Sequence, residues 1–360
     1  MTSLIHTLGK AGETWPAVGL GLMSLAATYG KASPQEHVDK LLSTAIEQGC
    51  TFWDTADIYS KPGTLGDNER QVGAFLRSHP GAREKVFIAT KFMTRYAADG
   101  SASLDGSREW CHKACEGSLE ALGVDQIDLY YNHRPADNVE IEETMQALKE
   151  LKEAGKIRYI GVSEFSLEQL ERAEKVVHID AYQVEISPWT PEVLKNGLFE
   201  WCNKSELLLI QCQTLWQLIA LTPIVFPTDG TATVAYSPLG RGFLTGKFQS
   251  PDDLEEGDWR RENPRFQGEN FTKNLELVRK IETVASKKGV SPAQITLAWV
   301  LSKSAHMFVI PGTTSPERLA ENVGAGKVRL SKAEEAEVDQ IIDSFKASGE
   351  RYGAGMKTAF

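Results

Sequence analysis

The sequence has few of the features that mark membrane, secreted or nucleic-acid-binding proteins. Its 360 residues have a formal net charge of −10 and no basic stripe, so nucleic acid is not expected as a partner. The five cysteines have no C-x-x-C spacing, which favours free thiols in a reducing compartment over disulfides or a metal site. The N-terminus has no signal-peptide pattern. We therefore predict a cytoplasmic protein without a metal.

Long apolar runs and a glycine-rich phosphate turn are also missing. The one apolar stretch that approaches the length of a membrane span, residues 207–226, is interrupted by Gln211, Gln213, Gln217 and Pro223. A transmembrane helix is therefore not expected. The early segment GLGLMSLA lacks the G-x-G-x-x-G spacing and precedes a loop. This makes a doubly wound dinucleotide-binding sheet the less favoured architecture.

One unit does recur along the chain: a short, β-branched apolar run that ends in a polar residue and is followed by an amphipathic segment. Alternating strands and helices predict a parallel sheet of the α/β class, and eight units predict closure into a (β/α)8 TIM barrel. Residues 4–17 are expected to form a β-hairpin that caps one end, and Ser33 is a predicted N-cap. The eight runs are VGLGLM (18–23), TFWDTAD (51–57), VFIATK (86–91), IDLYYNH (127–133), IRYIGVSE (157–164), AYQVEIS (181–187), ATVAYSP (232–238) and MFVIPGT (307–313).

Four polar side chains follow the ends of consecutive strands, where barrel active sites form. Lys91 is expected to lower the pKa of Tyr59, and Asp54 to keep Lys91 charged. His133 is a candidate donor to a substrate carbonyl oxygen. Each alone has a structural explanation, but together they suit proton delivery to an oxygen that becomes an alkoxide. No side chain supplies hydride, so a nicotinamide cofactor is implied.

Several motifs resemble the aldo-keto reductases, most closely the microbial branch with pyridoxal reductase-like and broad-substrate aldehyde reductases. The resemblance implies one barrel domain over residues 1–360 that reduces a small-molecule aldehyde or ketone with NADPH. Tyr59 would be the proton donor, in a tetrad with Asp54, Lys91 and His133. The motifs are DTADIYS (54–60), ATKF (89–92), LYYNHRPAD (129–137), GKIRYIGVSEFS (155–166), YQVEIS (182–187), AYSPLGRGFLTGKF (235–248) and IPGTTSPERLAENVGA (310–325).

The same resemblance implies where NADPH or NADP+ would bind. Ser163 and Gln183 would hold the nicotinamide carboxamide, and Tyr236 would stack on the ring. A helix that begins near Ser315 would add a positive N-terminal dipole at an anion site. The pyrophosphate path would be lined by Ser237, Leu239, Gly240 and Gly242, and the adenosine end by Gly312, Thr313, Arg318, Glu321 and Asn322.

The chain departs from the family pattern at single positions. Many relatives have Asn where Glu164 stands, so one amide contact of the family pattern is not expected here. Many have Lys where Gly312 stands, so a preference for NADP over NAD depends mainly on Arg318. An aromatic residue is replaced around Met23 and Ser24, which would widen the carbonyl pocket.

The largest departure is an apolar insertion of about 25 residues, 206–230, before the seventh strand. An accessory helix, a translated retained intron and a lipid-surface segment are its three interpretations. Two functional alternatives accompany them: an NADPH-binding regulatory or redox-sensing barrel subunit with slow turnover, and an inactive splice product. The sequence names neither the substrate nor the oligomeric state.

Overall fold

The computed structural model describes residues 4–8, 12–26, 31–61, 63–97, 99–203 and 230–352. Eight of the strands in these ranges form one all-parallel sheet, and their order in the sheet follows their order in the chain. Each of the eight overlaps a predicted run, which confirms the strand prediction. In chain order the strands are β1 (Ile5–Leu8), β2 (Glu13–Pro16), β3 (Leu20–Gly21), β4 (Phe52–Asp54), β5 (Phe87–Phe92), β6 (Thr94–Tyr96), β7 (Ala102–Leu104), β8 (Ile127–Asn132), β9 (Ile157–Ser163), β10 (Ala181–Glu185), β11 (Ala232–Tyr236) and β12 (Met307–Val309).

The sheet closes because its first and last strands pair with each other. Parallel bridges join Val18 to Val309 and Gly21 to Gly312, and the Gly19 amide donates to the Val309 carbonyl at 2.8 Å. A Cβ on Gly19 or Gly21 would lie within 2.7 Å of a neighbouring carbonyl oxygen, so this close approach requires glycine. The predicted (β/α)8 barrel is thereby confirmed.

Side chains alternate between the inside of the barrel and the layer beneath the helices. On β4, Phe52 belongs to the inner cluster, where its ring lies 5.1 Å from Phe87 and 5.5 Å from Phe308. The next residue, Trp53, belongs to the outer core together with helix residues such as Leu41. This alternation is the period of two expected of a strand that is buried on both faces.

The helices pack on the outer face of the sheet. Ser166 and Ser291 begin two of them with capping boxes. The prediction that Ser33 caps the first helix is wrong, because the extended Pro34 occupies the cap position. The α-helices are α1 (Gln35–Glu47), α2 (Asp67–Ser78), α3 (Arg108–Leu122), α4 (Ile141–Glu153), α5 (Leu167–Glu174), α6 (Leu198–Cys202), α7 (Gly268–Lys288), α8 (Pro292–Leu301), α9 (Pro316–Ala325) and α10 (Lys332–Asp343); short 3-10 turns span Met23–Leu25, Arg83–Lys85, Glu192–Leu194, Phe243–Thr245, Pro251–Asp253, Trp259–Glu262 and Pro264–Phe266.

Two hairpins lie outside the barrel sheet. Strands β1 and β2 pair in antiparallel fashion, and Leu8 and Trp15 contact the inner cluster, so the predicted capping hairpin is confirmed. The antiparallel pair β6–β7 was not predicted. The insertion 206–230 lies outside the described residues apart from Gly230, and its three interpretations stay predictions. No helix within the described ranges has the length and apolar character needed to cross a bilayer.

Candidate active site

The four predicted catalytic side chains meet at the carboxyl end of the barrel. Lys91, the penultimate residue of β5, is completely buried. It donates from Nζ to Asp54 Oδ1 at 2.5 Å and to the Thr55 carbonyl at 2.7 Å. The same ammonium lies 3.3 Å from the Tyr59 hydroxyl. The imidazole of His133 stands edge-on to the Tyr59 ring, with the ring centroids 6.1 Å apart.

The loop after β4 brings Tyr59 over Lys91. The Asp57 amide donates to the Lys91 carbonyl at 3.1 Å, and the Gly66 amide donates to the Asp57 carbonyl at 2.7 Å. The first bond fastens the start of the loop to β5, and the second closes the loop on itself. As a result, the Lys91 ammonium lies 4.9 Å from the centre of the Tyr59 ring. The hydroxyl, the ammonium and the Asp54 carboxylate therefore form one connected chain of hydrogen bonds.

Burial decides the protonation of this group. Burial raises the pKa of Tyr59 above its ordinary value, although Lys91 acts in the opposite direction. Lys91 lowers this pKa as expected, but desolvation of the phenolate outweighs the ammonium, so the net shift of the pKa is upward. Burial opposes the charge on Lys91 too, but Asp54 and Tyr59 raise its pKa. Burial, with help from Arg134 and Lys91, holds the pKa of His133 well below its ordinary value. At neutral pH the site thus has a protonated phenol, an ammonium and a neutral imidazole.

A groove of about 1060 Å³ extends from this mouth across the ends of the strands. At the tetrad end it is lined by Asp54, Tyr59 and Gln183. Every predicted cofactor residue lines it except Ser163 and Gly240. Gly240 has a φ of 56°, and a Cβ there would lie 2.8 Å from the Trp189 side chain, so it shapes the turn next to the groove.

The far end of the groove is built to receive an anion. Helix α9 begins there, and its cap residue Ser315 accepts from the Arg318 amide at 3.3 Å. The Arg318 side chain is exposed and has no hydrogen-bond partner among the described residues. Lys31 and His37 line the same end and were not predicted. A helix N-terminus beside cationic side chains is a favourable site for a phosphate.

A cluster of charged side chains lies beside the groove and reaches it through Tyr236. Arg351 donates to Glu185 at 2.7 Å, to Glu164 at 2.9 Å and to the Tyr236 hydroxyl at 3.0 Å. Tyr236 in turn donates to Glu164 at 2.9 Å, and Tyr352 donates to Glu185 at 2.9 Å. Glu164 is thus engaged within the protein and has a positive φ of 57°. No motif in the sequence points to Arg351 or Tyr352.

Another unpredicted residue, Arg134, lies between the tetrad and this charged cluster. Its Nη1 donates to the His133 carbonyl at 2.8 Å and to Ser163 Oγ at 3.1 Å. The guanidinium carbon lies 5.9 Å from the centre of the Tyr236 ring. The other predicted carboxamide residue, Gln183, donates from Nε2 to Asp54 Oδ2 at 2.8 Å. Within the described ranges, no group of His, Cys, Asp or Glu side chains is arranged to hold a metal ion.

Comparisons with known proteins agree with this geometry. The model of the Aldo/keto reductase family matches residues 17–219 and 220–343. Aldo-keto reductase yakc [NADP(+)] of Schizosaccharomyces pombe is 41% identical over 98% of this chain and 96% of its own length. Aldo-keto reductase str7 of Strobilurus tenacellus is 36% identical over 97% of this chain and 92% of its own length.

Solved structures of the same family share the fold. Glycerol dehydrogenase AKR11B4 from Gluconobacter oxydans superposes with a TM-score of 0.76 at 25% identity and covers 96% of both chains. The thermostable aldo-keto reductase Tm1743, solved with the inhibitor epalrestat, has a TM-score of 0.69 at 29% identity. That match covers 94% of this chain and 99% of the other.

Proposed function

The chain belongs to the aldo/keto reductase family, and from that premise we propose that it reduces aldehydes or ketones to alcohols with NADPH. The observation that carries the proposal is the bonded chain Asp54–Lys91–Tyr59 at the mouth of the barrel, with distances of 2.5 and 3.3 Å. A buried ammonium beside a phenol suits proton delivery to a carbonyl oxygen. The NADP(+) in the name of the Schizosaccharomyces pombe relative supports the choice of cofactor.

The groove fits an extended dinucleotide with an anionic end. Arg318 and the N-terminus of α9 would take the 2′-phosphate, with Gly312, Thr313, Glu321 and Asn322 around the adenosine. Ser24 Oγ is buried in the groove without a hydrogen-bond partner among the described residues, which fits a polar ligand atom there. Ser237, Leu239, Gly240 and Gly242 would follow the pyrophosphate, and Ser163, Gln183 and Tyr236 would hold the nicotinamide.

When bound in the groove, NADPH would supply the hydride for the carbonyl carbon. Tyr59 gives its hydroxyl proton to the carbonyl oxygen. Lys91 stabilises the phenolate that remains, and Asp54 keeps Lys91 charged within the barrel. The neutral His133 donates a hydrogen bond that orients the carbonyl oxygen toward Tyr59. The phenolate then recovers a proton from water.

The proposal extends to substrate, location and organisation. Aromatic and aliphatic aldehydes are the expected substrates, with pyridoxal a specific candidate. Cys50, Cys111, Cys115 and Cys202 are free and buried, which supports a reducing, cytoplasmic location. Residues 1–360 would form a single domain in which 206–230 is an insertion.

The test is NADPH consumption with an activated aromatic aldehyde by the native chain and by Tyr59→Phe. We expect turnover to fall by roughly 10²–10⁴-fold, because the proton donor is lost. NADPH affinity, measured by fluorescence titration, should remain. Tyr159→Phe is the matched control, because Tyr159 lies near the start of β9, at the opposite end of the barrel.

The other outcomes separate the alternatives. Tight NADPH binding with very slow turnover in the native chain would favour a regulatory subunit. Equal turnover by native protein and Tyr59→Phe would contradict the assignment of Tyr59. Absence of a cooperative unfolding transition would favour an inactive splice product.

A further inference from the structure

The starting observation is the environment of Arg134, a partly buried arginine that the proposed reaction does not use. It follows His133 directly at the end of β8, and its Nη1 is occupied by the His133 carbonyl and Ser163 Oγ at 2.8 and 3.1 Å. The remaining guanidinium nitrogens, Nε and Nη2, make no hydrogen bond within the described part of the chain. Two donors of a planar fork are therefore available to a ligand.

Arg134 also differs in its charge partners from Arg351 and Arg241, the two arginines of the charged cluster beside the groove. Arg351 contacts Glu185 and Glu164, and Arg241 contacts Glu185 at 3.2 Å. Among the described residues, no carboxylate lies within ion-pair distance of Arg134. A guanidinium is always charged, and partial burial without an anion is unfavourable. Glu164 acts on Arg134 only from beyond that distance. The place of a directly bonded anion is therefore open to a ligand.

The position of Arg134 indicates which ligand could supply that partner. The guanidinium lies beside Ser163 and 5.9 Å from the centre of the Tyr236 ring, where the proposed function places the nicotinamide. The nicotinamide carries no anionic group. A carbonyl substrate must place its carbon against that ring and its oxygen at Tyr59. Substituents a few bonds from the carbonyl group then come within reach of Arg134.

We infer that Arg134 is a specificity-determining residue that binds a carboxylate of the substrate, so the preferred substrates are short oxo acids. The inference rests on the proposed function. Two parallel N–H···O bonds from Nε and Nη2 would match the two oxygens of a carboxylate. Such a contact selects a negatively charged substrate and holds it in one orientation.

The first test compares oxo acids with their methyl esters. Glyoxylate, succinic semialdehyde and glutaric semialdehyde each have an ester of nearly the same shape but without the charge. We expect kcat/KM to favour at least one acid over its ester by roughly 10–100-fold, the effect typical of a hydrogen-bonded charged group. The member of the series with the largest ratio reports the distance between the carbonyl group and Arg134.

Variants assign this preference to the residue. Arg134→Gln should bring the ratio of acid to ester close to one, and Arg134→Lys should keep part of it, because a lysine has the charge without the fork. Arg172→Gln is the control: Arg172 is an arginine on the outside of the barrel, where it contacts Glu140 and Glu142. It should leave the ratio unchanged.

Binding measurements test the site without turnover. Calorimetric titration of the NADP+-loaded protein should show tighter binding of butanoate than of butanamide, and Arg134→Gln should remove the difference. Equal affinity for the two ligands would overturn the inference, as would a difference that persists in Arg134→Gln. Binding of butanoate through Arg134 in a protein that reduces no aldehyde would uphold the anion site and reject the reductase.

Discussion

Replacing Arg351 by glutamine should lower the free energy of unfolding of the whole barrel, although Arg351 follows α10 and belongs to none of the barrel strands or helices. Its guanidinium contacts Glu164 at 2.9 Å and Glu185 at 2.7 Å, and both carboxylates are buried. Removing one partner of a buried ion pair typically costs about 3–5 kcal/mol. Arg241 and Tyr352 remain beside Glu185, so we expect the lower limit, about 3 kcal/mol at neutral pH.

The loss should also depend on pH in a defined direction. Burial opposes the charge on Glu185, but Arg241 and Arg351 hold its pKa below the ordinary value of 4.5. A lowered folded-state pKa gives stability that is present above the ordinary value and disappears as the pH falls through the folded-state value. The variant has less of this stability to lose. The difference between native protein and variant should therefore be largest at neutral pH and shrink below about pH 4.5.

Equilibrium unfolding in urea, followed by tryptophan fluorescence at about pH 7 and about pH 4, measures both effects. Arg172→Gln is the control, since Arg172 contacts Glu140 at 2.5 Å and Glu142 at 2.6 Å on the protein surface. It should change stability far less. A loss below about 1 kcal/mol for Arg351→Gln at neutral pH, or an equal loss at both pH values, would refute the reasoning.

Three further predictions concern the site itself. Lys91→Met should reduce kcat for reduction by roughly 10²–10⁴-fold in single-turnover measurements, because the phenolate loses its counter-charge; a rate close to native would exclude a role for Lys91. The pKa of His133 is lowered by burial and that of Tyr59 is raised by it, so kcat/KM for reduction should show no inflection near the ordinary histidine value of 6.5. An inflection there would mean that His133 titrates. Arg318→Ala should raise the Kd of NADPH by roughly 10–100-fold and leave that of NADH nearly unchanged, since only NADPH has the 2′-phosphate; equal losses for both would place the phosphate elsewhere.

The strands and the tetrad could be predicted because their signals are local. Each barrel strand is a short apolar run, and Asp54, Lys91 and His133 lie at or directly after the ends of such runs. In a parallel barrel all carboxyl ends meet at one face, so position along the chain is enough to predict proximity. Burial was harder to judge. The pKa of Tyr59 depends on how completely water is excluded, and the spacing of residues does not contain that information.

The residues that sequence analysis missed act through contacts between distant parts of the chain. Arg351 meets Glu164 across 187 positions, and His37 lies 2.6 Å from the Thr314 carbonyl across 277. In both pairs, the sequence around one residue contains no motif that indicates its distant partner. Arg134 lies inside the motif LYYNHRPAD (129–137), but only the folded structure shows that no carboxylate of the described residues lies within ion-pair distance of it. The hairpin β6–β7 is too short for its alternation to stand out.

Closure of the barrel also determines when the chain can complete its fold as it leaves the ribosome. Asp54, Lys91 and His133 leave the exit tunnel early, but Gln183, which binds Asp54, comes later, and Val309, which pairs with Val18, follows later still. Until residue 309 has emerged, the first strand has an unpaired edge and the ring is open. A nascent chain with such an edge is exposed to aggregation. Emergence of residue 309, rather than synthesis of Asp54, Lys91 and His133, therefore marks the point at which the barrel can close.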